Sequence, residues 1–194
     1  IFEDLLKRWL LHIGYDVTHV MNITDVDDKT IKKSISLKIG LEEVTKKYIS
    51  EFMSDISWLD LHPADYFPRA TDHISDMISM INKLIENKIA YVGEDGSVYF
   101  DISSFKDYGK LANIKVTLGQ KTNLRGLQDE YNSNSPQDFA LWKARKTNDG
   151  DVYWDSPWGK GRPGWHIECS AMSTKILGSH FDIHCGGVDN IFPH

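Results

Sequence analysis

The stretch Asp16-Val-Thr-His-Val-Met-Asn-Ile23, running into Thr24-Asp25, decides the reading of this chain. Its β-branched and apolar residues predict a buried strand, and the Thr-Asp pair behind it is a helix-start signal. Upstream, Phe2, Leu5, Leu6, Trp9, Leu10 and Ile13 recur at three- and four-residue spacing, and Gly14 stands where a left-handed cap closes a helix. Downstream, apolar residues keep helical spacing from 31 to 58 with a break near Gly40. Another helix is predicted over 71–89, after a loop holding Pro63 and Pro68. Helix, strand, helix is the rhythm of a doubly wound α/β layer.

Beyond residue 89 the pattern changes. Ala90-Tyr-Val92, Gly93-Glu-Asp-Gly96 and Ser97-Val-Tyr-Phe100 predict a hairpin with glycines where the turn needs positive φ, and they open a less regular region. An insertion is placed at 90–155, and its polar middle, 121–137, predicts a mobile surface loop. Regularity returns with a helix over 165–177 and a short buried strand, Phe181-Asp-Ile-His184, ending in Gly186-Gly187. The domain reading is therefore 1–89, 90–155 and 156–194. Ligands of an open parallel sheet bind beyond the carboxyl ends of its strands, so 22–24 and 184–189 are the two places to look.

The 194 residues are 41% hydrophobic and 26% charged, an ordinary globular composition. A net charge of −6 excludes a broadly basic nucleic-acid-coating surface but leaves room for a local RNA contact. Two cysteines make no disulfide scaffold and point to a reducing compartment, with the cytoplasm as default. No run of roughly 18 apolar residues suggests a membrane span. The opening Ile1-Phe-Glu-Asp4 and the closing Phe192-Pro-His194 read as the edges of an internal piece of a longer protein.

Several residues carry chemistry. Cys169 lies in Gly161-Arg-Pro-Gly-Trp-His-Ile-Glu-Cys169-Ser-Ala-Met172, on a helix that also bears His166 and Glu168, and His194 follows later. One cysteine on an apolar helix reads as a core residue or as a metal ligand, and zinc needs about four ligands. His184-Cys-Gly-Gly-Val-Asp189 offers glycines that let a ligand approach the backbone and an aspartate able to accept from ribose hydroxyls; an ordinary strand-to-loop turn explains it too. Asp25, Asp27 and Asp28 read first as helix-capping carboxylates, leaving Thr24 as the member that faces a ligand. His12-Ile-Gly-Tyr15 closes a helix and so is not the phosphate-binding His-Ile-Gly-His motif, which opens one. Trp142, Tyr153, Trp154, Trp158 and Trp165 read as core or lid packing that also dehydrates a small pocket.

Four blocks taken together resemble the bacterial cysteinyl-tRNA synthetases: Asn22-Ile-Thr-Asp-Val-Asp-Asp-Lys29, Asp138-Phe-Ala-Leu-Trp-Lys143, the run from Ser156 to Met172, and Phe181 through His194. The resemblance spans nearly the whole chain. It implies a Rossmann-like, HUP-type parallel-sheet catalytic core of a class I aminoacyl-tRNA synthetase, interrupted by a connective insertion. It further implies an active-site Zn2+ held by two cysteines, a histidine and a glutamate, binding the substrate thiolate directly; Cys169 and His194 match one cysteine and the histidine. The other cysteine and the His-Ile-Gly-His motif would lie before Ile1, and the glutamate and the Lys-Met-Ser-Lys-Ser loop after His194, so this piece alone is expected to be inactive.

By the same resemblance Trp165 and Thr24 line the cysteine pocket, while Gly186, Gly187 and Asp189 receive the adenosine of ATP, supplied with Mg2+. Many family members carry Gly where this sequence has Cys185, which argues against Cys185 as a ligand. The implied partners are tRNA(Cys), L-cysteine and ATP, with no membrane and a monomeric state. Two rival readings remain: an ATP-dependent cysteine ligase of the mycothiol pathway, and a non-enzymatic module stabilised by zinc.

Overall fold

A computed structural model describes residues 1–111, 113 and 138–191, with the backbone alone at residue 189. The expected surface loop at 121–137 lies outside them. Two compact units emerge, Ile1–His73 with Met172–Cys185, and Ile74–Ala171 with Gly186–His194. The chain is an α/β protein. Among the described residues no helix is long and apolar enough to cross a membrane.

The first unit opens with α1 (Phe2–His12). It ends as its sequence predicts: Gly14 has φ +94, its N–H donates to the carbonyl of Leu11, and Tyr15 N–H donates to the carbonyl of Leu10, satisfying two carbonyls the helix would leave bare. The face that is buried is unexpected. Phe2, Leu5, Trp9 and Ile13 are exposed, whereas Lys7 is buried because its Nζ donates to the Pro63 carbonyl at 3.1 Å and to Asp65 Oδ2 at 3.0 Å.

The segment expected as a buried parallel strand is half-exposed, and its pairing is reduced to two parallel bridges, Val20 with Tyr66 and Ile23 with Arg69. Met21 N–H donates to the Tyr66 carbonyl at 3.0 Å and Ile23 N–H to the Pro68 carbonyl at 2.8 Å. Pro68 has no N–H to return, so the ladder cannot run on through it.

Helix α2 (Asp28–Leu37) starts at Asp27 rather than at the Thr24-Asp25 signal. Asp27 Oδ1 accepts from Thr30 N–H at 2.6 Å and Thr30 Oγ1 accepts from Asp27 N–H at 2.8 Å, a reciprocal cap. The break near Gly40 is real: Lys38 ends α2 in the left-handed region and Gly40 caps α3 (Leu41–Trp58). Ile31 of α2 and Val44 of α3 are buried in this unit.

The second unit is built on α4 (Ile74–Glu86), preceded by a short 3-10 turn, Ala70–His73, that belongs to the first. Ile74, Met77 and Ile81 share its buried face, each contributing about 1.5–3 kcal/mol of hydrophobic stabilisation. The predicted hairpin forms as β1 (Ala90–Val92) and β2 (Val98–Phe100), with Gly96 at φ +79 in its turn. Two further strands, β3 (Phe139–Ala144) and β4 (Gly161–Pro163), complete an antiparallel sheet in the order β1-β2-β3-β4. Asp138 secures the start of β3, accepting from Tyr91 Oη at 2.8 Å and from Ile102 N–H at 3.3 Å. Trp142, fully buried on β3, meets the ring of Trp158 edge to face at 6.0 Å, and its indole N–H finds no acceptor among the described residues.

Helix α5 (Trp165–Leu177) follows β4 directly. The strand expected at 181–184 is not observed: the segment is exposed and makes no strand pairing among the described residues. A strand exists only by exchanging backbone hydrogen bonds with a neighbour, and apolar composition cannot replace one.

Candidate functional site

The chemistry-bearing residues of the second unit gather at the start of α5, and β3 is what places them. Gly164 N–H donates to the Leu141 carbonyl at 2.8 Å, pinning the chain to β3 one residue before the helix begins. The approach is so close that a Cβ on Gly164 would sit 1.9 Å from the Ala140 carbonyl oxygen, and one on Gly161 would sit 2.4 Å from that of Lys143. Only glycine fits at either end of this Arg162-Pro163 segment.

The first turns of α5 divide cleanly. Ile167, Glu168, Ala171 and Met172 are buried. Trp165 and Cys169, four residues apart and hence on one helix edge, stand at the border with solvent, the indole 44% exposed and the thiol half-buried. Burial pushes the Cys169 thiol up to about 11, and the adjacent Glu168 carboxylate adds to the rise. Without a cation beside it this sulfur keeps its proton at neutral pH. An aromatic wall and a sulfur donor thus share one edge of one helix.

His166 lies between them in sequence. Its ring sits 5.3 Å from that of Trp165 at 36°, and 5.3 Å from that of Phe139 at 81°. Phe139 entered the sequence reading only as part of the Asp138–Lys143 block, with no role at a site.

Gly186 and Gly187 lead into a 3-10 turn, Val188–Asn190, in an exposed loop. Gly187 has φ −68, so its conformation is open to any residue. The side chain of Asp189 and the whole of His194 lie outside the described residues. Cys185 is exposed and free, and belongs to the first unit.

Thr24 also belongs to the first unit, and its Oγ1 accepts from Asn22 Nδ2 at 3.1 Å. Its neighbour Asp25 is structural: the carboxylate is buried and accepts from Arg69 Nε at 2.9 Å and from the Thr71 N–H and hydroxyl. The capping role read for this aspartate cluster holds for Asp27, while Asp25 instead ties the strand segment to the 3-10 turn.

Among the described residues no three His, Cys, Asp or Glu side chains converge as a metal site. Cys169 is the described donor of the expected zinc site, and its sulfur, with a neighbouring carboxylate and restricted solvent, suits a zinc ion in donor type.

The sequence model of the family described as tRNA synthetases class I (C) catalytic domain matches residues 1–194. The chain is 54% identical to the cysteine–tRNA ligase of Chlamydia felis, 58% to that of Brachyspira hyodysenteriae and 53% to that of Chlamydia caviae. Each match takes in the whole of this chain and 41% of the relative. Matched from its first residue to its last, this chain belongs to the class I (C) tRNA synthetase catalytic domain family.

Proposed function

We propose that this chain is the part of a cysteine–tRNA ligase that reads the side chain of cysteine. The observation that carries this is the pairing of Trp165 and Cys169 on one half-exposed edge of α5, in a chain whose relatives at 53–58% identity bear that name. Trp165 lines the cysteine pocket, and Gly186, Gly187 and Asp189 receive the adenosine. Residues 90–155 form the connective insertion between core segments 1–89 and 156–194; β1, β2 and β3 fall inside it.

Cys169 and His194 are the residues of this chain that would hold a zinc ion, as the resemblance implies. Bound there, the metal would acidify an incoming thiol and favour it over the harder, less acidic hydroxyl of serine. A site built around one such bond rejects analogues lacking it by about 10⁴-fold or more, so no editing step is required. The cysteine carboxylate attacks the α-phosphate of ATP, pyrophosphate leaves, and the terminal hydroxyl of tRNA(Cys) then displaces AMP. Within this scheme the indole of Trp165 excludes water from the thiol, and the Gly164 contact fixes where the indole stands. Mg2+ accompanies ATP, and the protein acts as a cytoplasmic monomer.

The test is pyrophosphate–ATP exchange by the full-length protein with cysteine or serine, zinc being measured in the same preparation. Exchange with cysteine alone and about one zinc per chain is expected, followed by charging of tRNA(Cys). Bound zinc without exchange would transfer the assignment to a structural module, and an amino-sugar product without charged tRNA to a different ligase.

A further inference from the structure

A row of aromatic rings runs from the inside of the sheet to the edge of α5. Phe100 and Phe139 face each other in register across β2 and β3, their rings parallel within 10° at 5.0 Å. Tyr108 and Phe105 close around Phe100 at 5.9 and 6.1 Å, and Tyr108 also lies 6.3 Å from Phe139. Phe139, buried, then presents its ring to His166 at 81°, the edge-to-face arrangement favoured by the opposed charge of ring face and rim. His166 in turn leans on Trp165. Phe139 is the buried ring of this row, held between Phe100, Tyr108 and His166, whereas Trp165 is 44% exposed and its indole has rotational freedom to lose.

We propose that His166, seated edge-on against Phe139, is a positioning residue for Trp165, so that the antiparallel sheet sets the orientation of the indole that meets the substrate side chain. This rests on the reading of Trp165 as a wall of the cysteine pocket. It assigns a role in substrate binding to Phe139, a residue of the proposed insertion, and to the ring of His166 rather than to its basicity. A correctly held indole needs no ordering when cysteine arrives, and a loose one does.

The test uses the full-length enzyme with the pairs Phe139→Leu and Phe139→Tyr, and His166→Ala and His166→Phe. In each pair the first substitution removes the ring and the second keeps one. In pyrophosphate exchange, F139L and H166A are expected to raise KM for cysteine about two- to tenfold, the range an aromatic pair commands. KM for ATP and bound zinc should stay near their original values, the thermal midpoint of F139L should fall modestly, and F139Y and H166F should restore the cysteine KM. A cysteine KM indifferent to F139L and H166A overturns the proposal; so does an H166F enzyme no better than H166A, or a parallel rise in both KM values. A second readout does not depend on activity: with 5-fluorotryptophan incorporated, the Trp165 fluorine resonance, assigned through Trp165→Phe, should shift or broaden in F139L and H166A and return in F139Y and H166F. An unmoved resonance overturns the proposal even if activity falls. A wild-type enzyme lacking cysteine-dependent exchange would instead overturn the functional reading, while the resonance still reports on the ring contacts.

Discussion

The carboxylate of Asp25 accepts hydrogen bonds from both the backbone N–H and the hydroxyl of Thr71, at 2.9 and 2.6 Å, and so closes a loop of 46 residues. Arg69 Nε donates to the same carboxylate at 2.9 Å, giving it three donors. Removing the carboxylate leaves these donors without their shared acceptor. Asp25→Ala is expected to lower unfolding free energy by about 3 kcal/mol, and Asp25→Asn by less, since the amide oxygen still accepts. Urea denaturation of the full-length protein measures it. A D25A protein as stable as wild type but inactive would mark Asp25 as a catalytic group.

The thiol of Cys169 makes a reactivity prediction. Its pKa of about 11, against an ordinary 9.0, leaves about a hundredfold less thiolate at pH 8. In chelator-treated protein iodoacetamide should therefore modify exposed Cys185 first, and Cys169 should follow with a rate climbing about tenfold per pH unit until pH approaches 11. Peptide mass spectrometry after timed quenching resolves the two sites. Equal rates at pH 8 would contradict the burial of Cys169.

Gly164 and Gly40 form a matched pair for mutagenesis. A Cβ at Gly164 meets the Ala140 carbonyl at 1.9 Å, whereas one at Gly40 meets nothing within 4 Å. Gly164→Ala should cost about 3 kcal/mol or more and displace the first turn of α5, reducing cysteine binding beyond the stability loss. Gly40→Ala should stay within about 1 kcal/mol. Thermal melts together with cysteine KM decide the matter, and a benign G164A would show that β3 does not place the helix.

His19 supplies a pH prediction. Burial lowers its pKa below 6.5, and nearby Lys7 lowers it further, outweighing the opposing pull of Asp65, Glu3 and Asp4. The unfolded chain consequently binds the proton more readily, so stability is full above about pH 6.5 and falls as the pH drops from there toward the folded pKa. The slope from this one group stays below about 1.4 kcal/mol per pH unit. Asp65, held below its usual range by the His19 N–H and Lys7, loses its contribution only in more acidic solution, below about pH 4. His19→Gln should flatten the profile between pH 7 and 5 and leave the acid limb intact.

Local chemistry made several elements legible in advance. Gly14 closing α1, the break between α2 and α3, and the β1-β2 hairpin all depend on residues within a few positions of one another. The helix that carries Trp165 and Cys169 was legible too, over 165–177, although their shared edge was not read from it. What escaped the sequence depends on distant partners. Phe139-Ala-Leu-Trp-Lys-Ala144 is an inner strand of the sheet, yet its neighbours are a hairpin about 40 residues earlier and Gly161–Pro163 after it, so nothing adjacent announces a strand. Lys7 defies the apolar stripe of α1 because Asp65 and the Pro63 carbonyl, far along the chain, receive its charge. The roles of Asp25 and His166 came to light for the same reason, through Thr71 and Phe139.

The buried indole of Trp142 gives the sheet a voice of its own in optical experiments. A tryptophan in a dry setting, with its N–H unshared, emits toward the blue, whereas Trp58 at 84% exposure and Trp165 at 44% emit toward the red. Unfolding of the sheet should therefore register as a loss of blue-edge intensity and, once exposed Trp9 and Trp58 are replaced by Phe, events at the edge of α5 as changes on the red side. One spectrum then separates a protein that has lost its scaffold from one that has only rearranged its pocket.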